Sequence, residues 1–141
     1  MLKRVYADNF RCLVNFELKL DRVNLLLGEN GTGKTTVFEV LYRLQQFVAG
    51  RAKVLSVFPS AELTRWQTSS TQRFELELLV GGASYGYSLL IEHDEDRRKA
   101  KIKSETPLPI FFSEISSPSH IRNTEPAAMI TSALIQPMGV S

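Results

Sequence analysis

The sequence is poor in the residues that would announce a disulfide framework or a metal centre. It has one cysteine, Cys12, so an internal disulfide is excluded and a reducing compartment is expected. A lone cysteine most often serves as a small buried apolar residue, and that is the expectation for Cys12. The two histidines, His93 and His120, have no Cys or His neighbours at metal-ligand spacing, so no zinc site is expected. No stretch reaches the roughly 18 consecutive apolar residues of a membrane span, and the N-terminus lacks a signal-peptide run. The reading is a soluble, cytoplasmic protein with no membrane contact. Neither sign of charge dominates, since 17 basic residues face 15 acidic ones, and the net charge of +2 points to no particular partner. Internal repeats are absent.

What is present centres on the stretch from Val23 to Thr36, where an apolar run breaks into a glycine-rich turn and an amphipathic segment follows. Gly28, Gly33, Lys34 and Thr35 satisfy G-x-x-x-x-G-K-[ST], the Walker A or P-loop pattern, with Asn30, Gly31, Thr32 and Thr36 completing the loop. Each residue type answers a separate demand of a polyphosphate. Amides around Gly31, Gly33, Lys34 and Thr35 can turn inward as a nest that donates to phosphate oxygens. The helix that follows favours an anion at its N-terminus. Lys34 would reach the β- and γ-phosphates, and the Thr35 hydroxyl would ligate Mg²⁺. A chance match of the four fixed positions in a chain of this composition has a probability on the order of 0.01. Binding of ATP and Mg²⁺ is therefore the expected function, and a bare glycine turn the bland alternative.

In chain order, 141 residues with 43% hydrophobic content make one domain with a real core. Leu2 to Ala7 reads as a strand and Asp8 to Arg11 as a turn. Val14 to Leu20 alternates cleanly and reads as a half-buried strand. Val23 to Leu27 reads as a strand buried on both faces within a parallel sheet. Helical spacing of Val37, Val40, Leu41, Leu44, Phe47 and Val48 predicts a helix stopped at Gly50, with Glu39 and Arg43 as a surface pair four residues apart. Residues 51 to 71 form a connector in which Trp66 has a packing or surface role. Phe74 to Val80, Gly81-Gly82 and Tyr85 to Ile91 predict a β-hairpin. With Ala100 and Ile102 in a third strand, these make an antiparallel meander beside the parallel sheet. Residues 1–104 are thus the nucleotide-binding portion of an α/β fold. Residues 105–141 are a Pro/Ser-rich segment, mostly irregular, with a short helix from about Glu125 to Ile135.

The order strand, Asn9-Phe10-Arg11, amphipathic strand, strand, Gly28-Glu29-Asn30-Gly31-Thr32-Gly33-Lys34-Thr35-Thr36, helix and meander resembles the N-terminal part of ABC-type ATPase heads. The look-alikes are the RecF, SMC and OLD-like ATPases, of the AAA-type ATP-binding kind, and the resemblance covers residues 1 to about 104. It implies that Asn9 and Arg11 lie near the adenine and the α-phosphate, and that two heads dimerise around sandwiched nucleotide. It also implies ATP hydrolysis by the complete domain, which needs a Walker B carboxylate, a following glutamate and a signature loop from a second head. No signature-like sequence occurs here. The nearest Walker B match, Leu89 to Asp94, reads instead as the second arm of the hairpin, because its period is two. The chain therefore looks like the front portion of an ATPase, a fragment or a truncated reading frame.

Two other function classes compete. A P-loop kinase or GTPase is disfavoured by the lack of a guanine-reading NKxD motif and by the meander. A non-catalytic interaction module would rest on Arg97, Arg98, Lys99, Lys101 and Lys103, which could meet DNA phosphates. A solvated strand face is the usual meaning of such a run, and Asp94, Glu95 and Asp96 neutralise part of it.

Overall fold

The computed structural model describes residues 1–94, 96 and 99–110, with 106–110 as backbone only. The helix expected near 125–135 and the basic residues Arg97 and Arg98 lie outside the described residues. Elements follow in the order β1 (Leu2–Asp8), β2 (Phe16–Lys19), α1 (Lys34–Val48), α2 (Val54–Val57), a 3-10 turn at Ser60–Glu62, β3 (Thr71–Val80), β4 (Ala83–Asp94) and β5 (Lys99–Ile110).

All five strands join one sheet in the order β2-β1-β3-β4-β5, and every neighbouring pair is antiparallel. Period-two alternation sends Val5 and Ala7 of β1, Phe74, Leu76 and Leu78 of β3, and Tyr87, Leu89 and Ile91 of β4 into the core. Val37, Val40, Leu44 and Val48, one stripe of α1, close that core from the other side. Phe10, Phe58 and Phe74 meet at its centre, Phe58 stacked on Phe74 at 4.6 Å and Phe10 edge-on to both. The opposite face of the sheet is charged and internally paired. Arg4 bonds Glu17 at 2.7 Å and Glu75 at 2.9 Å across β2, β1 and β3.

The β3–β4 hairpin turns on two residues, Gly81 (φ 58°) and Gly82 (φ 84°), and two successive positive φ angles are what a type I′ turn requires. The Walker B look-alike Leu89 to Asp94 lies in β4 as the hairpin's second arm, between β3 and β5. Helix α1 stops where expected, with Gly50 at φ 67° and its amide donating to the Phe47 carbonyl. Trp66 is a surface residue, 69% exposed.

Val23 to Leu27 forms no strand and Val23 itself lies in a bend, and Val23, Leu25 and Leu27 are 89%, 79% and 81% exposed. The apolar run carries the composition of a doubly buried strand, but burial needs neighbours on both sides, and the sheet here runs elsewhere. Among the described residues there is accordingly no parallel sheet with a meander beside it; the meander strands β3, β4 and β5 extend the same sheet that holds β1 and β2. The strand expected from Val14 shortens to Phe16–Lys19, because Asn15 takes a left-handed φ of 47° that breaks the extended run. The last strand passes Glu105 and runs to Ile110 through Pro107 and Pro109. An edge strand tolerates proline because alternate N–H groups face away from its neighbour, and these two prolines are two residues apart.

Candidate functional site

The glycine-rich segment runs into α1 without a break. Gly33 is the N-cap residue at φ 92°, ψ 7°, a conformation that a side chain would strain. No side chain caps the helix and no acidic residue stands in its first turn, so its leading amides keep their partial positive charge for an incoming anion. Gly28 lies close to Thr32, since a Cβ there would meet the Thr32 hydroxyl oxygen at 2.7 Å and would have to displace it. Thr32 closes the turn by donating its hydroxyl to the Glu29 carbonyl at 2.9 Å. Lys34 Nζ arches back over the loop and donates to the carbonyls of Gly28 and Glu29, the latter at 2.6 Å. Gly28, Asn30, Gly31, Thr32 and Thr35 are exposed, and Thr36 is half-buried.

Beside this loop stands the turn from Asn9 to Leu13. Phe10 and Leu13 exchange backbone hydrogen bonds, leaving Arg11 and Cys12 at the tip, with Arg11 at φ 51°. Cys12 is exposed, not buried as its residue type suggested. Its Sγ lies 3.7 Å from Thr36 Oγ1 and 3.0 Å from where a Cβ on Gly33 would be, so it packs against the start of α1. The turn cannot bury it because the loop it faces is itself at the surface.

Asn9 and Arg11, which the family resemblance implies lie near the adenine and the α-phosphate, are both engaged by protein groups. Asn9 is 0% exposed, at φ 60°. Its amide nitrogen donates to the carbonyls of Ser69 and Thr71 at 2.6 and 2.9 Å, and its Oδ1 accepts from the Thr64 amide at 3.0 Å. Gln72 extends this buried set, donating to the Asn9 carbonyl and meeting His93 Nε2 through its own oxygen. Asn9 therefore pins the connector 64–71 to the end of β1.

Arg11 bonds the carboxylates of Glu39 on α1 and Glu62 in the 3-10 turn, at 2.8 Å from Nη2 to Glu39 Oε1 and 3.1 Å from Nη2 to Glu62 Oε1. Arg43 bonds the same two oxygens at 2.8 and 3.2 Å and also donates to the Val57 carbonyl. The expected Glu39–Arg43 surface pair is thus half of a four-member cluster lying over the Phe10 ring. Electrostatics follow the geometry. The Glu62 hydrogen bond raises the Arg11 pKa, the Arg43 hydrogen bond holds Glu39 below the usual carboxylate range, and the Arg11 hydrogen bond does the same for Glu62. Sequence reasoning missed Glu62 altogether, because it sits in an aperiodic connector 51 residues from Arg11.

The family model described as "AAA ATPase domain" matches residues 1–120. The DNA replication and repair protein RecF of Geobacter metallireducens is 29% identical over 120 residues, 81% of this chain and 30% of that protein. The OLD nuclease of Thermus scotoductus is 44% identical over 41 residues, 29% of this chain and 8% of that protein. The chain thus spans less than a third of the length of these relatives. Among solved structures, one from work on ATP-driven dimerization and DNA stimulated activation of SMC ATPases superposes with a TM-score of 0.51. Its identity is 10%, over 94% of this chain and 76% of that one, so the likeness concerns the fold.

Proposed function

The chain belongs to the AAA ATPase domain family, and on that premise we propose that it binds ATP with Mg²⁺ through the loop from Gly28 to Thr36. The observation that carries this reading is the uncapped N-terminus of α1, presented by a loop with glycine where a side chain would collide and Lys34 folded over it. An anion replaces the carbonyls now held by Lys34 at little cost, since those bonds are exposed and the cation is already next to the helix terminus. The residues present fit the metal as well as the nucleotide: Thr35 is exposed at the first turn of α1, where its hydroxyl would ligate Mg²⁺. Bound ATP and Mg²⁺ would supply the polyphosphate chemistry; the chain supplies amides, one lysine and one hydroxyl. Arg11 approaches the nucleotide by its position on the turn whose next residue touches Gly33 and Thr36. Asn9 shapes the same turn from beneath.

A nucleotide-sandwiched dimer of heads and hydrolysis by the complete domain belong to the same reading. They rest on the family and on the printed subject of the SMC work. Of the basic residues on β5, Lys103 is paired with Glu92 at 3.5 Å. Titrating a fluorescent ATP analogue with Mg²⁺ onto the wild type and onto Lys34→Ala tests the proposal. Loss of the loop's one side-chain cation should cost at least about 1.5 kcal/mol, roughly tenfold in Kd. Equal affinity in the two proteins overturns it.

A further inference from the structure

Arg11 and Arg43 share the same two carboxylates, and they do so unequally. Arg43 is the more enclosed, its side chain 18% exposed against 35% for Arg11, and it is tied down by the Val57 carbonyl. Arg11 sits at the tip of a turn held in a left-handed conformation, and the adjacent Cys12 touches Gly33 and Thr36 of the candidate phosphate loop. Pulling an arginine away from two half-buried carboxylates ordinarily strands their charge. Here it does not, because Arg43 Nη2 remains bonded to Glu39 Oε1 and Glu62 Oε1 when Arg11 leaves.

We propose that Arg11 is an exchangeable cation: polyphosphate on the Gly28–Thr36 loop draws its guanidinium away from Glu39 and Glu62, while Arg43 keeps both carboxylates paired. This rests on the nucleotide reading above and adds to it a competitor and a consequence. The competitor is the carboxylate pair, which lowers nucleotide affinity by occupying Arg11. The consequence lies in the connector 60–71, held to the turn through the Arg11 amide on the Glu62 carbonyl at 2.7 Å, the Arg11–Glu62 ion pair, and Asn9. Nucleotide removes the ion pair from that set and so loosens the connector. Charge is exchanged for charge, so the switch needs no protonation step.

The test uses the full chain, the same fluorescent ATP analogue with Mg²⁺, and amide hydrogen exchange. Glu62→Gln keeps the side chain's shape and a hydrogen-bonding oxygen but removes its charge. It should tighten nucleotide binding about three- to tenfold, since Arg11 is then held less firmly. Arg43→Gln should weaken binding by a similar factor, because Arg11 becomes the carboxylates' sole partner. In the wild type, nucleotide should speed exchange of amides within 60–71. Unchanged or weaker binding by folded Glu62→Gln, or unchanged exchange of 60–71 in the wild type, overturns the proposal. If Lys34-dependent binding persists in that case, the nucleotide reading stands without the switch. If the wild type shows no Lys34-dependent binding, both fall. Should Glu62→Gln fail to fold, the wild-type exchange experiment decides alone.

Discussion

At the scale of single residues, Asn9 shows how a side chain of the exposed type comes to be fully buried. An amide can be taken out of water when each of its hydrogen-bonding groups finds a partner. Asn9 donates to Ser69 and Thr71 and accepts from Thr64, and its left-handed φ is one that Asn tolerates better than most residues. Asn9→Ala should destabilise the fold by about 3 kcal/mol, because two carbonyls and one amide lose their partner. Urea denaturation followed by circular dichroism measures this. Asn9→Asp is the sharper comparison, since it sets a carboxylate against the Ser69 and Thr71 carbonyls. It should be at least as damaging as alanine, and a milder effect would mean that the amide's donors matter little. Gly33 makes a parallel point at the start of α1, where backbone angle and the nearness of Cys12 Sγ both argue against a side chain.

At the scale of elements, the cluster of Arg11, Glu39, Arg43 and Glu62 joins three pieces of chain that share no sheet: the turn after β1, helix α1 and the 3-10 turn. Glu39 and Glu62 titrate below their ordinary value of 4.5, chiefly through the hydrogen bonds of Arg43 and Arg11 respectively. A folded pKa below the unfolded one means that the folded state binds fewer protons. The stabilisation is therefore complete above about pH 4.5 and is lost as pH falls through the folded values. The urea midpoint of the wild type should drop steeply below that pH. The double variant Glu39→Gln, Glu62→Gln should start lower at neutral pH and fall less on acidification. Parallel pH profiles for the two proteins would show that the cluster does not couple these elements.

At the scale of the whole molecule, the irregular segment before the Gly28–Thr36 loop leaves an apolar strip uncovered. Leu26 packs against the core while Val23, Leu25 and Leu27, at alternate positions, face solvent. A segment outside the sheet with three exposed branched side chains invites association with another chain. The protein should self-associate with rising concentration in sedimentation velocity runs. Leu25→Ser with Leu27→Ser should shift it toward monomer while leaving the thermal midpoint within a few degrees, since neither side chain is buried in the fold. A wild type that stays monomeric at high concentration would show that the strip is harmless. Among the described residues, no helix is long and apolar enough to cross a membrane, so the strip is not part of a helical span.

Local chemistry settles much of this protein's fold. The period of two in Phe74 to Val80 and Tyr85 to Ile91 fixed a hairpin, the double glycine fixed its turn, and the stripe from Val37 to Val48 fixed the helix and its buried face. Those patterns are legible because each is written within ten or fifteen residues and answers to a single geometry. The Gly28–Thr36 motif is legible for the same reason. What only the tertiary structure decided is how separate stretches spend their valences on one another. Nothing near Asn9 in sequence reveals that Ser69 and Thr71 will take its amide protons, and nothing near Arg11 reveals Glu62. The fate of Val23 to Leu27 was likewise undecided, because hydrophobicity states that a segment gains by burial and is silent about which surface will provide it. The sheet's direction belongs to the same class, since alternation fixes which side chains face inward and leaves open which strand lies alongside.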